Sequence, residues 1–323
     1  MWLPVLAVTA GLAALTVGAD RLVLGASALA RGLGVTPLLI GLTIVAFGTS
    51  APEVVVSIVA ALQGNPDLAV GNAIGSNIAN IGLVLGATAL IAPLVVASGI
   101  LRREFPILLG ATLLGLVLLL DGSLDRLDGL ILLAGLAALT VWLVVQSLRG
   151  RGHPDRLGVD VEAAMPARMG LDRAVTWLAV GLVLLLAGSR ILVWGGVELA
   201  GALGVSDLVI GLTIVAIGTS LPELATSVVA ARKGETDLAI GNVIGSNLFN
   251  LLCVLAIPGL LAPSAVEMSV LMRDYPVMLA MTVLLLLLAA GLRGPHRVQR
   301  WEGALLLGLF AGYLILIGWS AAA

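Results

Sequence analysis

Cysteine, histidine, aromatic residues and charge are all scarce in this chain. Its one cysteine, Cys253, cannot close an intrachain disulfide, so no cysteine framework or cysteine-rich metal site holds the fold. Two histidines, His153 and His296, lie in arginine-rich polar stretches, and a zinc enzyme would want more. Aromatic residues make up 4% of the 323 residues and charged residues 11%; ordinary soluble domains carry about 25% charged residues. Seventeen bases against 19 acids leave a formal net charge of −2, which excludes a basic nucleic-acid binder and a polyanionic tail. The chain is instead 60% hydrophobic, with a mean hydropathy of +1.14. Apolar runs of about 18–25 residues recur along it, so it belongs in a lipid bilayer.

Polar punctuation predicts ten spans, near 2–30, 36–62, 68–92, 104–120, 127–148, 172–201, 206–231, 238–262, 274–292 and 301–320. The runs are continuous and rich in Leu, Ala and Gly, without the alternation of a β-barrel. The first nineteen residues carry no positive charge, which argues against a cleavable signal peptide. Alternate connections, starting with the first, hold 13 of the 17 bases, and the opposite side holds only Arg126 and Arg273. By the positive-inside rule both termini are extracytoplasmic and the 149–171 linker is cytoplasmic. That linker separates residues 1–148 from 172–323 and is too short for a folded regulatory domain.

The two halves repeat each other. Residues 41–53 read GLTIVAFGTSAPE and 211–223 read GLTIVAIGTSLPE, while GNAIGSNIAN at 71–80 becomes GNVIGSNLFN at 241–250. Both pairs share an offset of 170, and 26 of 40 positions are identical across 41–80 and 211–250. Five spans per half is odd, so the second half enters the bilayer upside down. The expected fold is therefore all-α, with ten transmembrane helices as two inverted five-helix repeats. That is a common build of secondary transporters, with the binding site at the midplane between repeats.

Glu53 and Glu223 fall about seventeen residues into their spans, deep in the hydrocarbon. Facing lipid, each would cost at least ~2.5–3.5 kcal/mol. Arginine partners are the plain alternative, but the only intramembrane bases, Arg21 and Arg190, have Asp20 and Glu198 as candidate partners of their own. A cation fits better. Pro52 and Pro222 lack an N–H, which frees the carbonyls of Gly48 and Gly218. Carbonyls near Ala46, Thr49, Ala216 and Thr219 then become ligands for a hard ion, joined by the hydroxyls of Thr49, Ser50, Thr219 and Ser220. Gly75-Ser76-Asn77 and Gly245-Ser246-Asn247 are expected to break the partner helix, where Ser76, Asn80, Ser246 and Asn250 add neutral oxygens. Small-residue packing is the bland reading of Gly71, Gly75, Gly241 and Gly245, but it leaves twin glutamates unexplained. An all-oxygen set with two carboxylates suits one Ca²⁺ or two Na⁺, and zinc or copper would prefer nitrogen or sulfur.

GTS-x-PE followed by GN-xx-GSN-xxN, twice in inverted halves, resembles the α-repeats of the sodium/calcium exchangers, in a prokaryotic form. These belong to the cation/calcium antiporter superfamily. The resemblance implies Na⁺/Ca²⁺ exchange by alternating access, with sites formed by the second, third, seventh and eighth helices. Glu53 and Glu223 would ligate Ca²⁺ together with the Thr49 and Thr219 carbonyls. Sodium sites would share these glutamates and use Ala46, Ser50, Ser76, Ala216, Ser220 and Ser246, with Asn80 and Asn250 completing the centre. The first and sixth helices would slide across the other eight. Some family members carry Asp at the position of Asn250, so the Asn/Asn pair here holds one negative charge fewer and predicts transport without potassium.

A proton/calcium exchanger of the same superfamily is the runner-up, because a proton neutralises a buried carboxylate as a metal does. A passive cation channel would more often be a rotational oligomer, and no nucleophile–base pair in the spans suggests an enzyme. The expectation is a multi-pass inner-membrane antiporter that functions as a monomer. No resident cofactor is expected, and Ca²⁺ and Na⁺ are the substrates.

Overall fold

Two long, mostly apolar helices set the frame. The helices α1 (Trp2–Leu33) and α7 (Leu171–Ala202) are each 32 residues long. That is about 48 Å of helix against about 30 Å of hydrocarbon, so both must tilt or project. The computed structural model describes residues 2–150, 169–204, 216–291 and 296–322. Its remaining helices are α2 (Pro37–Thr49), α3 (Ala51–Leu62), α4 (Pro66–Ile91), α5 (Glu104–Leu119), α6 (Arg126–Gly150), α8 (Ala216–Thr219), α9 (Leu221–Arg232), α10 (Thr236–Leu261), α11 (Val270–Ala290) and α12 (Arg300–Ala322), with one short helix at Ser98–Arg102.

The chain is an all-helical membrane protein. Among the described residues, seven helices are long and apolar enough to cross a bilayer, and the pair α2–α3, bent by 43°, makes an eighth candidate. Each expected span lying wholly within the described residues is matched by a helix, or by the bent pair, to within four residues at either end. Residues 205–215, which open the seventh expected span and hold Gly211–Val215 of the second motif, lie outside the described residues. So do 151–168 of the linker, with Arg151, His153, Arg156 and Arg168, and residues 292–295, with Arg293.

The long helices run antiparallel in backbone contact. A Cβ on Gly18 would stand 2.8 Å from the Leu185 nitrogen and 2.9 Å from the Gly181 carbonyl oxygen. Further along, a Cβ on Gly188 would stand 2.9 Å from the Leu15 nitrogen and 3.0 Å from the Gly11 oxygen. These glycines recur every seven residues, on α1 at 11, 18 and 25 and on α7 at 181, 188 and 195. In lipid, where burial gives helices little drive to associate, such close approach supplies the packing.

The most buried spans are α4 and α10, which form the centre of the molecule. Helix α3 packs on α4 and α9 on α10, and each half also reaches across: α9 lies on the second part of α4 and α3 on the second part of α10. The turns α3–α4 and α9–α10 use the left-handed glycines Gly64 (φ 75°) and Gly234 (φ 80°), 170 residues apart. Two strand pairs tie the halves together outside the helices. The first joins β1 (Leu94–Val95) to β4 (Arg297–Val298), and the second joins β2 (Ser123–Leu124) to β3 (Ser264–Ala265).

One sequence expectation needs correction. No break occurs at Gly75-Ser76-Asn77 or Gly245-Ser246-Asn247; the α-helix runs on to Ala79 and Phe249. Every residue there keeps its N–H, so nothing forces the ladder open. Irregularity begins instead at Asn80 and Asn250, each the first residue of a π-helical segment (Asn80–Leu85, Asn250–Val254). The small-residue reading holds for Gly241 and Gly245, whose added Cβ atoms would stand 2.6 Å from the Leu38 and Leu42 carbonyl oxygens of α2. A Cβ added at Gly71 or Gly75 would meet nothing within 4 Å beyond its own helix among the described residues, and Leu208 and Leu212, the repeat counterparts of Leu38 and Leu42, lie outside them.

Candidate cation-binding site

Proline dictates where the site-bearing helices break. Helix α2 ends at Thr49, Ser50 leaves helical geometry (φ −84°, ψ 9°), and α3 restarts at Ala51 with Pro52 in its first turn. The second half repeats this at Ser220 (φ −87°, ψ 3°), between α8 and α9. Each break delivers a glutamate into the first turn of the following helix, Glu53 in α3 and Glu223 in α9. π-Helical widening, frequent at functional sites, adds a second irregularity at Asn80 and Asn250 on the central helices.

Both glutamates are 1% exposed. Among the described residues neither forms an ion pair. Ser50 Oγ donates to Glu223 Oε1 at 3.0 Å, and Thr49 Oγ1 donates to Asn242 Oδ1 at 3.2 Å, so the first half touches the second directly at the break. Glu53 Oε2, Glu223 Oε2, Asn80 Oδ1, Ser220 Oγ, Ser246 Oγ and Asn250 Oδ1 are buried without a hydrogen-bond partner among the described residues. Such orphaned oxygens are costly in a packed interior. A hard cation satisfies several of them at once, and the donor set contains neither sulfur nor imidazole.

Of the twelve expected ligands, Ala46, Thr49, Ser50, Glu53, Ser76, Asn80, Ser220, Glu223, Ser246 and Asn250 are all buried. Thr219 closes α8, and Ala216 is placed by its backbone alone, as the first residue of that helix. The Ala46 carbonyl already accepts the Ser50 N–H at 3.0 Å and Thr49 Oγ1 at 3.4 Å. The Gly218 carbonyl that Pro222 deprives of its helical donor is satisfied by Ser189 Oγ of α7 at 2.7 Å. Arg21 and Arg190 stay away from the glutamates. Asp20 pairs with Lys233 at 2.6 Å and only loosely with Arg21, at 4.0 Å. Arg21 instead lies over the Trp177 ring, 4.5 Å from its centroid. Arg190 makes no ion pair with Glu198 among the described residues, because eight residues on a helix separate them by about 12 Å.

Reading the sequence for ligands passed over Asn72, Asn242, Ser57, Ser227 and Ser189. The first four were visible, since each pair is identical at the offset of 170. Ser189 carried no such signal, because Ala19 stands at its repeat position.

The family model described as sodium/calcium exchanger protein matches residues 3–145 and 173–319. The chain belongs to the sodium/calcium exchanger family. It is thus a membrane antiporter of calcium and a counter-cation, and not an enzyme. CaxA of Alkalimonas amylolytica is 50% identical over 285 residues, covering 88% of each chain. Inner membrane protein YrbG of Escherichia coli (strain K12) is 42% identical over 287 residues, covering 88% of this chain and 87% of that one. Among solved structures, the sodium-calcium exchanger NCX_Mj soaked with 10 mM Na⁺ and zero Ca²⁺ superposes with a TM-score of 0.81 at 34% identity, covering 98% of both chains.

Proposed function

We propose that this exchanger moves Ca²⁺ against Na⁺ by alternating access, using a site shared between the two halves. The observation that carries this reading is the pair Glu53 and Glu223. They are two buried carboxylates on opposite repeats, without a basic partner among the described residues, set among orphaned hydroxyl and amide oxygens. One Ca²⁺ or two Na⁺ neutralises the pair, so the two ion loads compete for the same charge. Ca²⁺ would sit between the glutamates and the Thr49 and Thr219 carbonyls. Na⁺ would use the same glutamates with Ala46, Ser50, Ser76, Ala216, Ser220 and Ser246, and Asn80 and Asn250 would close the centre. The similarity to NCX_Mj favours Na⁺ as the counter-ion.

The proposed arrangement is ten transmembrane helices in two inverted repeats, residues 1–148 and 172–323, joined by a cytoplasmic linker at 149–171. The exchanger would sit in the inner membrane, as the name of YrbG says of that relative, and act as a monomer with both termini extracytoplasmic. The strand pairs agree with this layout. β1·β4 joins the connection holding Arg102 and Arg103 to the one holding Arg297, both assigned to the cytoplasm. β2·β3 joins two connections assigned to the opposite side.

Proteoliposomes loaded with Na⁺ and diluted into Na⁺-free medium should accumulate Ca²⁺, and a pH gradient with equal Na⁺ on both sides should not drive uptake. Uptake that follows the pH gradient and ignores Na⁺ would make H⁺ the counter-ion. Entry without any counter-gradient would make the protein a channel.

A further inference from the structure

The repeated string GN-xx-GSN-xxN contains an asparagine that contributes no ligand to the proposed site, Asn72 in the first half and Asn242 in the second. Each sits on a central helix and reaches the helix that bears the glutamate. Asn72 Nδ2 donates to the Glu53 backbone carbonyl at 3.0 Å and to Ser57 Oγ at 3.0 Å. Asn242 Nδ2 donates to the Glu223 carbonyl at 3.3 Å and to Ser227 Oγ at 2.9 Å. Within each pair, the glutamate and the serine lie four residues apart, one above the other on a single helix face. One amide group therefore holds the glutamate-bearing helix at two points a turn apart, which fixes both its height and its rotation against the central helix. Asn242 does more, since its Oδ1 accepts the Thr49 hydroxyl of the opposite half at 3.2 Å.

We propose that Asn72 and Asn242 are positioning residues: their side-chain amides clamp the backbone at Glu53 and Glu223 and thereby aim the two carboxylates at the transported cation. The proposal rests on the site reading given above. A glutamate in the first turn after a break lacks a full helical turn to hold its N-terminal side, so its direction depends on such an external anchor. The clamp acts at the residue that carries the charge, and small rotations of that residue move the carboxylate away from its ligand position. Losing the clamp should weaken cation binding more than it weakens the fold.

The test is Ca²⁺ binding to the purified full-length protein in detergent, with Ca²⁺ itself as the probe, read alongside thermal melting. Asn242→Ala and Asn72→Ala should raise the Ca²⁺ Kd at least tenfold. Leu306→Ala, a buried packing lesion on α12, which packs on the second part of α4, should lower the melting temperature and leave Kd unchanged. Glu223→Gln is measured in parallel. If it abolishes binding while both asparagine variants bind like wild type, the positioning role is overturned and the site reading stands. If Glu223→Gln also binds like wild type, the site reading itself has failed. An equal rise in Kd for Leu306→Ala would assign the effect to general destabilisation and likewise overturn the role. Should Asn242→Ala not fold, Asn72→Ala, at a half-buried position, decides alone.

Discussion

The Ser50 hydroxyl of one half donates to the Glu223 carboxylate of the other across 3.0 Å. Its repeat mate, Ser220, has a buried hydroxyl with no partner among the described residues. The two halves are thus alike in sequence and unlike in engagement. The same asymmetry recurs at the proline breaks, where Ser189 caps the Gly218 carbonyl and its counterpart is Ala19.

Removing that cap should alter how the second break is held. In Ser189→Ala the Gly218 carbonyl loses its side-chain donor, a loss of about 1–3 kcal/mol for a buried group left unsatisfied. Thermal melting should fall, and Ser189→Thr, which keeps a hydroxyl, should melt closer to wild type. Equal melting of Ala and wild type would show that the bond contributes nothing.

The glycine seam between α1 and α7 makes a steric prediction. Gly18→Leu or Gly181→Leu forces two backbones apart, an overpacking cost of order 1–3 kcal/mol or more. Gly312→Leu, where no described residue lies within 4 Å, should be tolerated. The comparison is the yield and melting temperature of purified protein. Equal behaviour of the seam and control variants would contradict the close packing.

Much of this architecture was legible because lipid imposes simple rules. Long apolar runs had to become helices, and Pro52 and Pro222 had to open the ladder near Gly48 and Gly218. The expected breaks at Gly75 and Gly245 failed because glycine permits irregularity without requiring it, and Gly245 serves close approach to α2 instead. The π segments at Asn80 and Asn250 lay beyond reach, since no residue type demands them. The proposed ligands could be picked out from the repeated strings. The contacts that steer them, such as Thr49 to Asn242, depend on how helices from opposite halves cross.

Orientation is testable by cysteine labelling in a Cys253→Ala background. Ala323→Cys should react with an impermeant thiol reagent from outside intact cells, and Asp155→Cys should react only after permeabilisation. The reverse pattern would overturn the charge-based assignment.

Neutral Asn250 predicts that potassium is dispensable. Calcium flux should persist when choline replaces potassium at equal osmolarity. Loss of most of the flux would show that another residue supplies a potassium site.

Acidification should mimic carboxylate loss, because protonating Glu53 or Glu223 removes the same negative charge that Ca²⁺ requires. Calcium flux by the wild type should therefore fall as pH drops, at constant sodium gradient. Flux that rises on acidification would contradict competition between protons and calcium at this site.

The central claim is that Glu53 and Glu223 hold one and the same cation load, and calcium binding to the single Gln variants tests it most directly. Glu53→Gln or Glu223→Gln leaves a divalent ion with one formal negative charge while preserving side-chain shape. Losing one partner of a buried charged group costs about 3–5 kcal/mol, or roughly 200-fold to several thousand-fold in Kd. Isothermal titration of each purified, folded variant should show that loss for both residues alike. Wild-type calcium affinity in either variant would contradict the shared site.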